Sequence, residues 1–147
     1  MFQDETSAEA WSRLGLYLSR DVLESRYFAR HGGELNAGKT REIIAHFEQA
    51  REYFDSAASA GILAGPLEQY YGALSFARGM VLYLQPKARE ANLKKGHGLA
   101  ATVPAGSRIE DMRLSVQMGT FDEFLDATRN AEEISGSVEK RVGYAAT

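Results

Sequence analysis

The sequence predicts a mainly α-helical single domain, a bundle of four to five helices with a small β hairpin near the C-terminus. Three patterns carry this prediction. Residues 66–84 are apolar around much of a helical circumference, as in a helix inside a bundle. Ile43, Phe47, Ala50, Phe54 and Ala57 fall within a narrow arc of a second long helix. Met112, Leu114, Val116 and Met118 alternate with Asp111, Arg113, Ser115 and Gln117, the two-residue repeat of a half-buried strand.

Taken in order, Ser7 to Leu18 forms the first predicted helix, with Trp11, Leu14 and Leu18 at helical spacing and Ser7 as its cap. Ser19 caps a second helix, Arg20 to Arg30, which Gly32-Gly33 ends. Thr40 is the expected cap of the third helix, Arg41 to about Ala60. Gly61 and Gly65 bracket a short link to the fourth, so the two form an antiparallel hairpin. Pro66 opens that fourth helix, where its missing N–H is no loss, and Pro86 stops it. Its predicted buried rows are Tyr70, Leu74, Ala77, Val81 and Leu84, beside Leu67, Tyr71 and Leu82. Leu99 to Val103 supplies a partner strand, placing the hairpin at about 99–118. Thr120 and Glu123 have capping-box spacing ahead of a last helix, Phe121 to Arg129. The domain thus covers 1–129, and 130–147 reads as a C-terminal tail.

Bulk composition narrows the function classes. The chain has 147 residues, 44% hydrophobic and 25% charged, values of an ordinary globular protein. Its net charge of −3 gives no global attraction for nucleic acid, which leaves a local basic patch or a partner as the route to one. With no cysteine, disulfides, thiolate metal sites and cysteine nucleophiles are excluded. The acidic opening is unlike a signal peptide, and no apolar run approaches the roughly 20 residues of a membrane span. A cytoplasmic protein without membrane contact, metal or cofactor is the expectation. Its three histidines lie in separate segments, without carboxylates at ligand spacing.

Four features are candidates for function. Gly33-Glu34-Leu35-Asn36-Ala37-Gly38-Lys39-Thr40 matches the phosphate-loop pattern, in which glycine N–H groups, a lysine and a hydroxyl hold a nucleotide. Gly33, Gly38, Lys39 and Thr40 are its candidate residues, but a charged helical segment precedes them instead of a buried strand. The ordinary alternative is a glycine-bearing loop with a capping threonine. Arg41 and His46 are separated by four residues, a spacing that resembles the R-x4–6-H motif of HEPN-type ribonucleases. That resemblance implies a metal-independent, homodimeric endoribonuclease with histidine in acid–base cleavage and arginine on the phosphate. Positions five apart on a helix point about 140° from each other, and Arg26 and His31 repeat the spacing. Lys94 and Lys95, beside His97 between Gly96 and Gly98, are candidates for an anion or an acidic partner. Arg78 lies on the Leu67, Tyr71 and Leu82 row and needs a partner such as Glu68, Asp55 or an external acid.

Several segments together resemble the YaaC-like proteins, a bacterial family. They are Trp11-Ser12-Arg13-Leu14, the run Phe47 to Phe54, Pro66-Leu67 through Tyr70-Tyr71-Gly72 with Leu74-Ser75, Gly96-His97-Gly98-Leu99 and Gly119-Thr120-Phe121. The resemblance implies that the chain corresponds to the amino-terminal half of longer members, and it brings no catalytic motif. The preferred reading is a non-enzymatic helical binding module, a small subunit docking on a larger bacterial protein or nucleic-acid-acting complex, with Lys94, Lys95, His97, Arg78 and Tyr71 as partner-binding candidates. The HEPN-like ribonuclease and nucleotide binding follow as alternatives, and a protein partner or a homodimer is expected.

Overall fold

The computed structural model describes residues 5–102, 105–106, 108 and 113–130. Met112 and Val103 of the expected strands lie outside these residues, as does the expected tail beyond Asn130. The elements in order are α1 (Glu5–Gly15), a 3-10 turn (Leu16–Leu18), α2 (Arg20–His31), α3 (Ala37–Ser59) and α4 (Gly65–Leu84). A 3-10 turn (Glu90–Asn92), β1 (Leu99–Thr102), β2 (Arg113–Val116) and α5 (Thr120–Thr128) follow among the described residues. The fold is mainly α with one small antiparallel hairpin, as the sequence predicts. The chain divides into two compact units, Met1–Glu90 and Ala91–Thr147.

The first unit is organised on the α3–α4 hairpin, its largest helix contact. The predicted α3 stripe is its buried face: Ile43, Phe47, Ala50 and Ala57 are all buried. The facing side of α4 agrees with the prediction at Val81 and Leu82, which are buried, and differs from it nearer the helix start. Gly72, Ser75, Gly79 and Leu82 are buried, while Leu67, Tyr70 and Tyr71 are exposed. The small residues let the ring of Phe54 lie on Gly72 and that of Phe47 on Gly79. The bulkier side chains of the opening turns are thereby left outside. Ser75 donates to Gln49 Oε1 across the same contact (2.9 Å).

Two helix starts also depart from expectation. Asn36, not Thr40, caps α3: its side-chain oxygen accepts from the Lys39 N–H at 2.9 Å, so the helix begins three residues before Thr40. Ser7 lies within α1 and does not cap it. Gly32 ends α2 in the left-handed conformation, as predicted.

In the second unit, β1 and β2 pair in antiparallel register, Leu99 opposite Val116 and Thr102 opposite Arg113. The preceding turn uses positive φ at Gly96 and Gly98, a region that favours glycine. Gly119, not Thr120, is the cap position of α5. The capping box does not form because both of its side chains are engaged elsewhere. The Thr120 hydroxyl donates to Gly96 O (3.0 Å), and Glu123 accepts from the Lys94 N–H (3.0 Å).

Candidate functional site

The densest polar cluster in the first unit ties residues 85–90, just past α4, back onto α3 and α4. Pro86 ends the helix and leaves its last carbonyls open. Lys39, only 2% exposed, donates to two of the carbonyls there, Gln85 O at 2.7 Å and Pro86 O at 2.8 Å. Its ammonium also lies 5.6 Å from the centroid of the Tyr27 ring. Burial, with the Arg89 charge beside it, pushes its pKa down to about 8 against the pull of Glu42.

Around Lys39 the charges pair. Arg89 grips Glu42 with two nitrogens, the shorter contact 2.7 Å, and the Glu90 N–H adds a third donor to Glu42. Hydrogen bonds from Arg89 hold the Glu42 carboxyl below its usual range. Glu90 in turn accepts from Arg78 at 2.7 Å and meets His46 Nε2 at 2.5 Å. Burial works against the Glu90 carboxylate, but the hydrogen bonds from His46 and Arg78 outweigh it and lower its pKa. The partner of Arg78 is therefore Glu90, rather than Glu68 or Asp55. His46 Nδ1 is buried without a partner among the described residues. With Nε2 on Glu90, a proton on Nδ1 would lack an acceptor.

This geometry bears on each predicted site. His46 is brought to Glu90, while Arg41, five residues earlier on α3, is exposed. Within one chain the two do not meet. The phosphate-loop letters form a capped helix start: Gly33 precedes it, and Gly38 sits in the first turn of α3. The Lys39 and Thr40 N–H groups are both bonded to Asn36, and the Thr40 hydroxyl lies 3.1 Å from Glu24 Oε1. In the second unit Lys94 reaches Asp122, which raises its pKa. Lys95 and His97 are exposed, and the His97 Nδ1 accepts from the Leu99 N–H at 3.0 Å. That bond places the neutral ring's proton on Nε2. Among the described residues no group of three or more His, Asp or Glu side chains is placed to hold a metal, and no helix is long and apolar enough to cross a membrane.

Sequence reasoning missed Glu42, Arg89 and Glu90. The expectation that no carboxylate stands at helical spacing from a histidine overlooked Glu42, four residues before His46, and the acid–base pair just after Pro86 was a second signal. Sequence reasoning also placed the link between α3 and α4 without singling out its two apolar residues. There, Ile62 and Leu63 are 91% and 92% exposed, followed on α4 by exposed Leu67, Tyr70 and Tyr71. Tyr71 stacks on Tyr53 of α3 with ring centroids 5.6 Å apart, which holds this apolar edge in shape.

A family model described as YaaC-like Protein matches residues 2–141. The chain belongs to the YaaC-like family. The family segment therefore includes the α3–α4 hairpin, its apolar tip, the 85–90 clamp and the glycine turn of the second unit. No curated protein and no solved structure matches the chain.

Proposed function

We propose that this YaaC-like chain is a non-enzymatic helical binding module of the cytoplasm. In this reading it is a small subunit that docks on a larger bacterial protein or nucleic-acid-acting complex through the tip of the α3–α4 hairpin. The observation that supports this is the exposed run Ile62, Leu63, Leu67, Tyr70 and Tyr71. Contiguous apolar surface of this kind is uncommon on isolated soluble proteins, and tyrosine is enriched in interface cores. Glu48, Glu52 and Asp55 are exposed on α3, with Asp55 3.7 Å from Arg51, so the α3 arm of the hairpin carries a surplus of exposed acid. The matching partner surface is apolar with basic residues at its rim. The charged groups of the 85–90 clamp pair with one another, which suits a structural role better than a reacting one.

The test is co-purification from the native host followed by mass measurement of the intact complex. Wild type is expected to bring down one partner chain in fixed stoichiometry. Leu63→Asp, at a 92% exposed position, is expected to lose at least about tenfold of that recovery with an unchanged melting temperature. Recovery of the wild type alone as a monomer, or capture indifferent to Leu63→Asp, would overturn the reading.

A further inference from the structure

Away from the hairpin tip, α1, the 3-10 turn, α2, α3 and α4 surround an open cavity of about 810 Å³. Trp11, Leu14, Tyr17, Phe54 and Phe76 form most of its wall. This size falls within the roughly 300–1,000 Å³ typical of small-molecule sites, which are apolar with a few placed polar groups. The charged groups among the described lining residues are Arg13 and Arg26, with no carboxylate among them. Arg13 is occupied by Glu9, 2.6 Å away along α1. Arg26 has a different setting. Its guanidinium lies 5.1 Å from the Tyr17 ring centroid, and one nitrogen is 3.3 Å from the Tyr17 hydroxyl. Among the described residues no carboxylate pairs with it.

We propose that this cavity binds a straight-chain carboxylate of the fatty-acid class. The alkyl chain lies against Trp11, Phe54 and Phe76, and the carboxylate rests on the Arg26 fork. A guanidinium matches a carboxylate with two parallel N–H donors, and the contacts of the exposed Arg26 with the Tyr17 ring and hydroxyl keep it beside the cavity. Among the described lining residues no acid is offered to an ammonium group, and Glu9 beside the rim is taken up by Arg13, which favours a simple anion over a zwitterion. Ile62 and Leu63 take no part in the lining, so this site is separate from the docking edge.

Trp11 is the sole tryptophan of the chain, so its fluorescence reports on the cavity directly. The full-length protein is titrated with octanoate, decanoate and dodecanoate, each below its micelle concentration. A saturable change in Trp11 emission is expected, tightening by about fourfold per methylene. Arg26→Gln is expected to weaken dodecanoate binding by about tenfold or more and to leave 1-dodecanol binding unchanged. Retained 1-dodecanol binding also shows that the variant is folded. No saturable change with any of the three acids, equal binding of dodecanoate by wild type and Arg26→Gln, or association only with phosphatidylglycerol vesicles would each overturn the proposal.

Discussion

Lys39 carries its ammonium where solvent scarcely reaches, 2% exposed, and two carbonyls past the end of α4 take the place of water. A cation beside the open carbonyls of a helix C-terminus is well placed, yet losing its hydration still costs free energy. The balance leaves the folded-state pKa at about 8, against 10.5 for the ordinary side chain. Between these two values the unfolded chain holds a proton that the native chain has released. Stability therefore rises with pH through that window, by on the order of 3 kcal/mol for the full shift. Wild type is expected to gain urea resistance relative to Lys39→Met as the pH goes from about 8 to about 10.5. Taking the difference cancels the tyrosine titrations of the same range, and parallel curves for the two proteins would refute the prediction. The same residue explains why a letter-for-letter phosphate-loop match did not announce its place in the fold. The pattern reports which residues follow one another. It does not report that Asn36 captures the Lys39 N–H or that Gln85 and Pro86 lie within reach of its ammonium.

At the level of elements, the first unit rests on two aromatic rings seated on two glycines, seven residues apart on each helix. A Cβ on Gly79 would lie 2.8 Å from Phe47 Cε1, and that ring is only 1% exposed, so it has nowhere to go. A Cβ on Gly72 would lie 3.1 Å from the Phe54 ring, which is half-buried and has room to turn. Replacing an interior helical glycine by alanine gains about 1 kcal/mol of helix propensity, while overpacking costs about 1–3 kcal/mol. With its contact under 3.0 Å, Gly79→Ala is expected toward the upper end of the resulting net loss of about 0–2 kcal/mol in urea unfolding, and Gly72→Ala to be close to neutral. A Gly79→Ala protein as stable as wild type would show that the contact is looser than this. These glycines also mark how far the sequence was legible. The α3 stripe was readable because large apolar residues repeat at helical spacing, and the hairpin because its strand alternates. The packing face of α4 was readable at Val81 and Leu82 but not earlier in the helix, because Gly72, Ser75 and Gly79 make the contact through smallness, while apolarity drew attention to Tyr70 and Tyr71. The start of α5 was unreadable for another reason: Thr120 and Glu123 bond to Gly96 and Lys94, more than 20 residues earlier.

Over the whole chain, the two compact units permit the docking reading to be separated from general loss of structure. In the second unit the glycine turn and the start of α5 approach backbone to backbone. A Cβ on Gly119 would lie 2.4 Å from Gly98 N and 2.6 Å from Gly98 Cα, and no side-chain movement relieves a clash with main chain. Three backbone bonds hold this approach: Gln117 N–H to Gly98 O at 2.9 Å, Thr120 N–H to Gly96 O at 3.1 Å and Phe121 N–H to His97 O at 2.9 Å. Separating the strands of this junction breaks them, at about 1 kcal/mol each. Gly119→Ala is therefore expected to cost on the order of 3 kcal/mol within residues 91–130. Hydrogen exchange would read this as faster exchange at Gln117, Thr120 and Phe121, with the buried amides of α3 and α4 still protected. Ile62 and Leu63 belong to the first unit, so partner capture should survive Gly119→Ala and fail with Leu63→Asp. The reverse pattern, capture lost with Gly119→Ala while α3 and α4 stay protected, would move the docking surface to the second unit, where Lys95 and His97 are the exposed polar groups of the turn.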